Sequence, residues 1–204
     1  MYKRQSQCGQ TVGEGIIVDV SKNLNSLVSV DPEKRQASVQ PGIVLDQLND
    51  SLKKHGLFFP VDVSTSSRAT IGGMTANNSC GARSIRYGKM VDNVREVDAV
   101  IADGSSMRFG KWDDVTASAV PQRQKELVSQ LIELGTSESE EVAKRFPRVQ
   151  RRVGGYNLDV LSAEPGSSLN LAHLLVGSEG TLAVSSKITL NLPVSYTHLT
   201  LPTT

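Results

Sequence analysis

The chain has 204 residues, of which 38% are hydrophobic and 21% charged, and its formal net charge is +1. This is the composition of a globular protein able to bury a substantial core, and a charge so near zero gives no electrostatic reason to expect nucleic acid or a membrane as the main partner. No run resembles a transmembrane span or a secretory signal, and Cys8 and Cys80 stand in no disulfide framework or metal-ligand spacing, so two reduced thiols and no metal site are expected.

In chain order, residues 1–5 continue no periodic pattern and read as a non-native end. The apolar run at 15–20 reads as a buried strand, followed by a turn and a helical approach near 21–24. Residues 26–30 and 36–40 alternate as two strands of a hairpin, with Asp31-Pro32-Glu33 as its turn, and Pro41-Gly42 ends the ladder. Residues 43–55 place Val44, Leu45, Leu48 and Leu52 at helical spacing, opposite Asp46, Asn49, Asp50, Lys53 and Lys54, and Gly56 stops that helix.

Further on, residues 71–77 read as a short helix whose N-terminal amides face a ligand. Residues 93–102 alternate Val94, Val97 and Val100 with polar neighbours as a strand, and Asp103-Gly104 turns the chain into a partner strand at 106–109. Residues 121–145 form a helical region expected to break near Gly135, with Glu138, Glu140 and Glu141 on a solvated face. The basic cluster from Lys144 to Arg152 has a solvated surface as its default reading. His55 and His173 lie in helix-like segments without a second ligand nearby. A short apolar helix at 171–175 leads through Gly177-Ser178-Glu179-Gly180, a tight turn, into a last strand, and the Thr-rich residues 194–204 read as a non-native tail.

The stretch that organises the chain is Ala69-Thr70-Ile71-Gly72-Gly73-Met74-Thr75-Ala76-Asn77-Asn78-Ser79-Cys80-Gly81. Glycines, hydroxyls and amides set side by side fill no core, and several of them cost backbone entropy on ordering. They do suit a ligand: glycine lets the main chain come close, and short polar side chains offer directional hydrogen bonds. With no charge between Thr70 and Gly81, a phosphate here would be met by amide dipoles rather than by lysine. The alternative on composition alone is a Gly/Asn-rich turn that joins two elements.

The ordered blocks Phe59-Pro60-Val61-Asp62-Val63-Ser64-Thr65-Ser66, Thr70-Ile71-Gly72-Gly73, Asn78-Ser79-Cys80-Gly81-Ala82-Arg83 and Arg86-Tyr87-Gly88 resemble the FAD-binding PCMH-type domain of the vanillyl-alcohol oxidase superfamily. Within it, the likeness is to the D-lactate, D-2-hydroxyglutarate and glycolate dehydrogenase branch, from Ser6 to about Pro193. The resemblance implies an α+β, two-subdomain fold with its N-terminal subdomain truncated, and a partial domain over 6–193. It also implies non-covalent FAD, with Cys80 packing beside the loop. On the matching positions, cofactor contacts are expected from Ser6, Gly9 and Gln10, the tail of a phosphate loop whose leading glycines are missing here. They are expected too from Pro60, Asp62, Ser66, Thr70, Ile71, Gly72, Gly73, Asn77, Asn78, Ser79, Gly81, Tyr87 and Gly88, and from Glu179, Gly180 and Ile188 at the second flavin turn and the strand after it. Ile71, Val176 and Ile188 are expected to wall the ring system, and Arg152 and Tyr156 to touch an anionic substrate or the flavin.

By the same resemblance the reaction is oxidation of a D-2-hydroxy acid by hydride transfer to flavin. The electron acceptor is left open among a quinone, a cytochrome and an electron-transfer flavoprotein. The base, the substrate-carboxylate ligands and any metal-ligating histidines are expected downstream of Pro193, so no catalytic residue is assigned and turnover by this stretch alone should be small. An iron-sulfur domain is expected in the parent protein, which is placed in the cytoplasm or peripherally at the inner membrane face. Two alternatives stay open: a non-catalytic flavin or nucleotide-binding module, and a flavoenzyme like the reductase of enolpyruvyl sugar nucleotides.

Overall fold

Alternating apolar residues in a few short runs build the sheet. The computed structural model describes residues 14, 17–113, 118, 120–149, 151–161 and 169–194. Strands β1 (Leu27–Asp31) and β2 (Gln36–Val39) form the expected antiparallel hairpin. Its turn occupies 32–35, where Asp31 Oδ1 accepts the Lys34 N–H at 2.9 Å and Arg35 adopts a left-handed φ of 53°. Strands β3 (Val94–Ile101) and β4 (Ser106–Phe109) form a second hairpin, turned by Gly104 at φ 83°. A separate ribbon pairs β5 (Lys111–Trp112) with β6 (Leu169–Asn170). The last strand, β7 (Ala183–Asn191), inserts between the two hairpins, giving the order β1-β2-β7-β3-β4 with every pairing antiparallel.

Register explains the core. Val39 pairs with Ile188, Ile188 with Val97, and Val97 with Phe109, so four apolar side chains line up across four strands, none more than 3% exposed. Burying a side chain of this size contributes roughly 1.5–3 kcal/mol. Polar groups hold the other face, where Asp98 accepts from Arg108 Nε at 2.7 Å and pairs with Lys187 Nζ at 2.5 Å. Helices together with an antiparallel sheet make the fold α+β, as expected.

Helix α1 (Val20–Asn23) is a single turn capped by Asp19, whose carboxylate accepts the Ser21 N–H at 2.9 Å. The run at 15–20 is therefore not the buried strand expected of it, as far as it is described. Ile17 and Val18 are 65% and 54% exposed, and the Asp19 cap starts a helical turn where the strand would have continued. Helix α2 (Leu45–Lys53) buries Leu45, Leu48 and Leu52 on one face and ends before Gly56 at φ 65°. Val44, expected on that face, is instead its extended N-cap residue and bridges to Thr70.

Helices α3 (Ile71–Ala76), α4 (Ser84–Tyr87) and α5 (Met90–Asn93) carry the organising stretch and its continuation. Helix α6 (Gln122–Ser137) runs straight through Gly135, and the break falls at Glu138, before α7 (Ser139–Arg145). Gly135 is a contact position rather than a breaker: a Cβ there would overlap the Leu161 carbonyl, so its missing side chain lets α6 lie against the 3-10 turn Leu158–Leu161. Helix α8 (Ala172–Leu175) leads into the Gly177–Gly180 turn. Near the end of the described residues, Val194 bridges to Leu57. No helix among the described residues is long and apolar enough to cross a membrane.

Candidate functional site

The organising stretch is held by the segment that opens α2. The Leu45 and Asp46 N–H groups, left over at the start of that helix, donate to the carbonyls of Ala69 (2.9 Å) and Ser66 (3.2 Å). In the other direction Ile71 N–H donates to Ile43 O at 2.9 Å and Gly72 N–H to Pro41 O at 2.7 Å. From the middle of α2, Asn49 Oδ1 accepts the Phe59 N–H at 2.7 Å, which anchors the block that includes Pro60 and Asp62.

These bonds revise one expectation. The first amides of α3 do not point at a ligand: those of Ile71 and Gly72 are taken as above, and that of Gly73 is capped by Thr70 Oγ1 at 3.2 Å. Uncommitted donors lie after the helix instead. Among the described residues, the N–H groups of Cys80, Gly81 and Ala82 find no protein acceptor. Gly81 is pressed against Asp62, where a Cβ would overlap both the carboxylate and the carbonyl. Asp62 Oδ1 also accepts the Arg83 N–H at 3.0 Å, while Asp62 Oδ2 forms an ion pair with Arg83 Nε at 3.6 Å.

Asn78 is the hinge between the stretch and the rest of the molecule. It adopts a left-handed φ of 53°, is 1% exposed, and its Oδ1 accepts the Val91 N–H at 3.1 Å. Its Nδ2 is buried and has no hydrogen-bond partner among the described residues. Such a donor is costly to leave unmade and suits an acceptor supplied by a ligand. Beside it, Asn77 Oδ1 accepts from Ser79 Oγ at 2.6 Å, and Ser79 O accepts the Met90 N–H at 3.0 Å. Tyr87 sets its ring edge-on to Phe58 at 5.7 Å, and Gly88, at φ 75°, turns the chain into α5.

The second glycine turn packs directly on this assembly. Gly177 N–H donates to Thr75 O at 2.9 Å and Glu179 N–H to Ala76 O at 2.8 Å, so a turn about a hundred residues away is laced to the last turn of α3. Gly177, Glu179 and Gly180 all take positive φ, at 85°, 55° and 70°. A Cβ on Gly177 would meet the Cβ of Asn78 at 3.2 Å, whereas one on Gly180 would meet nothing within 4 Å, leaving open space over an N–H that has no protein acceptor among the described residues.

The other candidates are placed as follows. Pro60 is buried and Ser66 half-buried, within the anchored block. Tyr156 lies beside the second turn, its hydroxyl 2.7 Å from Thr181 Oγ1, which itself donates to Ser178 O. Arg152 is drawn inward: its side chain is 17% exposed, Nη2 lies 2.6 Å from both oxygens of Asp159, and the guanidinium stacks 4.4 Å from the Phe146 ring centre. Ile71, Val176 and Ile188 do not wall a cleft. All three are completely buried, and Ile188 is in the middle of the sheet with its main chain between β2 and β3. Ser6, Gly9 and Gln10 lie outside the described residues.

Asn157 was missed by sequence reasoning. It is 5% exposed and donates from Nδ2 to His173 O (3.1 Å) and Val176 O (2.9 Å), the carbonyls that lead into the second turn. Its only sequence signal is its place directly after Gly154-Gly155-Tyr156 and before apolar Leu158.

This surface fits a diphosphate-bearing cofactor. It offers an orphaned buried amide at Asn78, uncommitted main-chain N–H groups at 80–82 and Gly180, and bare glycine backbone with room above it. Neutral dipoles of this kind bind phosphate without a lysine.

Comparison with known proteins agrees with the geometry. D-2-hydroxyglutarate dehydrogenase of Pseudomonas putida is 38% identical over 190 residues, covering 91% of this chain and 19% of that protein. The protein of the same name from Escherichia coli is 32% identical over 187 residues, 90% of this chain and 18% of the relative. D-lactate dehydrogenase of Archaeoglobus fulgidus is 31% identical over 179 residues, 88% of this chain and 29% of the relative. The chain thus spans about a fifth of the length of the D-2-hydroxyglutarate dehydrogenases it matches. The family model described as FAD binding domain matches residues 3–110, more than half of the sequence and inclusive of the whole organising stretch, and the chain belongs to that family.

Proposed function

We propose that this chain is the FAD-holding part of an oxidoreductase that oxidises a D-2-hydroxy acid of the 2-hydroxyglutarate, lactate or glycolate class. The observation that carries this reading is the lacing of two distant glycine turns around Asn78, whose buried Nδ2 has no partner among the described residues. Bound FAD would supply the hydride acceptor: the substrate carbon would lose a hydride (two electrons and a proton) to the flavin and the hydroxyl a proton to a base, leaving a 2-oxo acid. The residues of this chain bind and orient: Asn78 Nδ2, the amides of Cys80, Gly81 and Ala82 and the Gly180 N–H meet the diphosphate, while Tyr156 borders the same turn. Binding is non-covalent, and the electrons leave to a quinone, a cytochrome or an electron-transfer flavoprotein.

The test is the absorption spectrum of the full-length protein before and after each acid is added anaerobically. Flavin bands that bleach with D-2-hydroxyglutarate, D-lactate or glycolate are expected, and a broad shoulder underneath would reveal an iron-sulfur partner. Flavin that stays oxidised with all three acids would leave a binding module without this chemistry. A protein with no flavin bands would remove the cofactor assignment itself.

A further inference from the structure

Resting on that reading, we infer that Arg152 and Asn157 form a brace that sets the second glycine turn, and that Arg152 is a positioning residue rather than a substrate ligand. Asn157 is the working part. Its single amide group donates to both His173 O and Val176 O, which lie at the start and just past the end of α8, and so fixes where that helix releases the chain into Gly177. A C-terminal turn leaves carbonyls without helical partners, and a buried side-chain donor that takes two of them decides the exit direction.

Arg152 orients that amide. Its Nη2 donates to Asn157 Oδ1 at 3.3 Å, so the oxygen faces the cation and the NH2 group faces the two carbonyls. The guanidinium is in turn fixed by Asp159 and by the face of Phe146. With Nη2 committed to Asn157 and Asp159 and the side chain 17% exposed, the guanidinium is held against the protein rather than presented to solvent.

Past the brace, the turn meets α3. The Gly177 and Glu179 N–H groups reach Thr75 O and Ala76 O only if the chain leaves α8 along the line that Asn157 sets, and the same approach brings Gly177 against Asn78. A chain of contacts thus runs from Phe146 and Asp159 through Arg152, Asn157 and Gly177 to Asn78.

Hydrogen exchange in the flavin-stripped full-length protein reads the brace without any cofactor. In Asn157→Ala, exchange at the Gly177 and Glu179 amides should speed up about tenfold, the scale of one lost buried hydrogen bond, while Ala99 and Leu190 in the sheet stay as in the wild type. Arg152→Lys, which keeps the charge but not the planar fork, should show a smaller rise at the same two amides. In the loaded enzyme both variants should bind FAD more weakly, with KM for the hydroxy acid unchanged once FAD is saturating. Unchanged exchange at Gly177 and Glu179, or a uniform rise that includes the sheet, would overturn the brace. A raised KM in Arg152→Lys with normal turn exchange would make Arg152 a substrate ligand after all. Absence of flavin from the wild type would count against the cofactor reading and leave the exchange result to decide the brace.

Discussion

The sheet and the glycine assembly are held together in opposite ways. In the sheet, apolar side chains on one face do the work, and the row Val39, Ile188, Val97 and Phe109 is stitched by a regular backbone ladder. In the assembly the elements are single turns, and the bonds join backbone to side chain or one loop to another: Asn49 to Phe59, Asp62 to Arg83, Asn78 to Val91, Gly177 to Thr75. A region stabilised by burial tolerates polar change outside it and fails as a unit. A region stabilised by directional bonds keeps donors available at defined points, and can lose its geometry while the fold persists.

Three substitutions or conditions probe that contrast, from the largest effect down. Leu190→Ala removes a completely buried side chain from the middle strand and should cost about 2–5 kcal/mol in denaturant unfolding. Signals from the sheet and from the turns should then be lost together. Gly177→Ala places a side chain at φ 85°, against the Cβ of Asn78, and should cost about 1–3 kcal/mol. Its effect on FAD affinity in titration should exceed that of a sheet variant of equal stability. An equal loss of FAD affinity in both would mean that the two regions are one cooperative unit.

The smallest effect is a pH dependence. Burial holds the His173 imidazole below the ordinary value of 6.5, against the opposing pull of the Val94 main chain and of the carboxylates of Asp92 and Asp159. The unfolded chain therefore takes up a proton near 6.5 that the folded protein still refuses, so stability should fall as pH drops through that value. His173→Gln should flatten that part of the stability profile, and an unaltered slope would assign it elsewhere.

Periodicity carried most of the fold into view. The two hairpins and α2 follow directly from alternation, helical spacing and turn residues, because there local preference and burial agree. The run at 15–20 misled because an apolar sequence says nothing of whether a neighbouring strand is present, and Ile17 and Val18 are exposed. Gly135 misled for a different reason: the same residue that loosens an isolated helix permits close approach in a packed one, and only the Leu161 carbonyl reveals which applies.

In the site, the pattern of blocks put two distant glycine turns beside one cofactor, and their main chains are hydrogen-bonded to each other. It could not show that the first amides of α3 are consumed by Pro41 and Ile43, since those acceptors come from thirty residues earlier in the chain. Nor could it distinguish Arg152 as an inward brace from Arg152 as a surface cation. Charge is visible in a sequence, whereas the Asp159 and Phe146 that enclose it are visible only in three dimensions.

The position of β7 carries a consequence for biosynthesis. Its residues 188–191 pair with 36–39, so the first hairpin waits for roughly 150 further residues to leave the ribosome before its open side is closed. Until then β2 and β3 each present a bare edge, and the loop that must close between β2 and β7 is some 150 residues long. Assembly of this sheet should therefore be slow, and nascent chains halted before residue 183 should be prone to edge-to-edge association that chaperones must hold off.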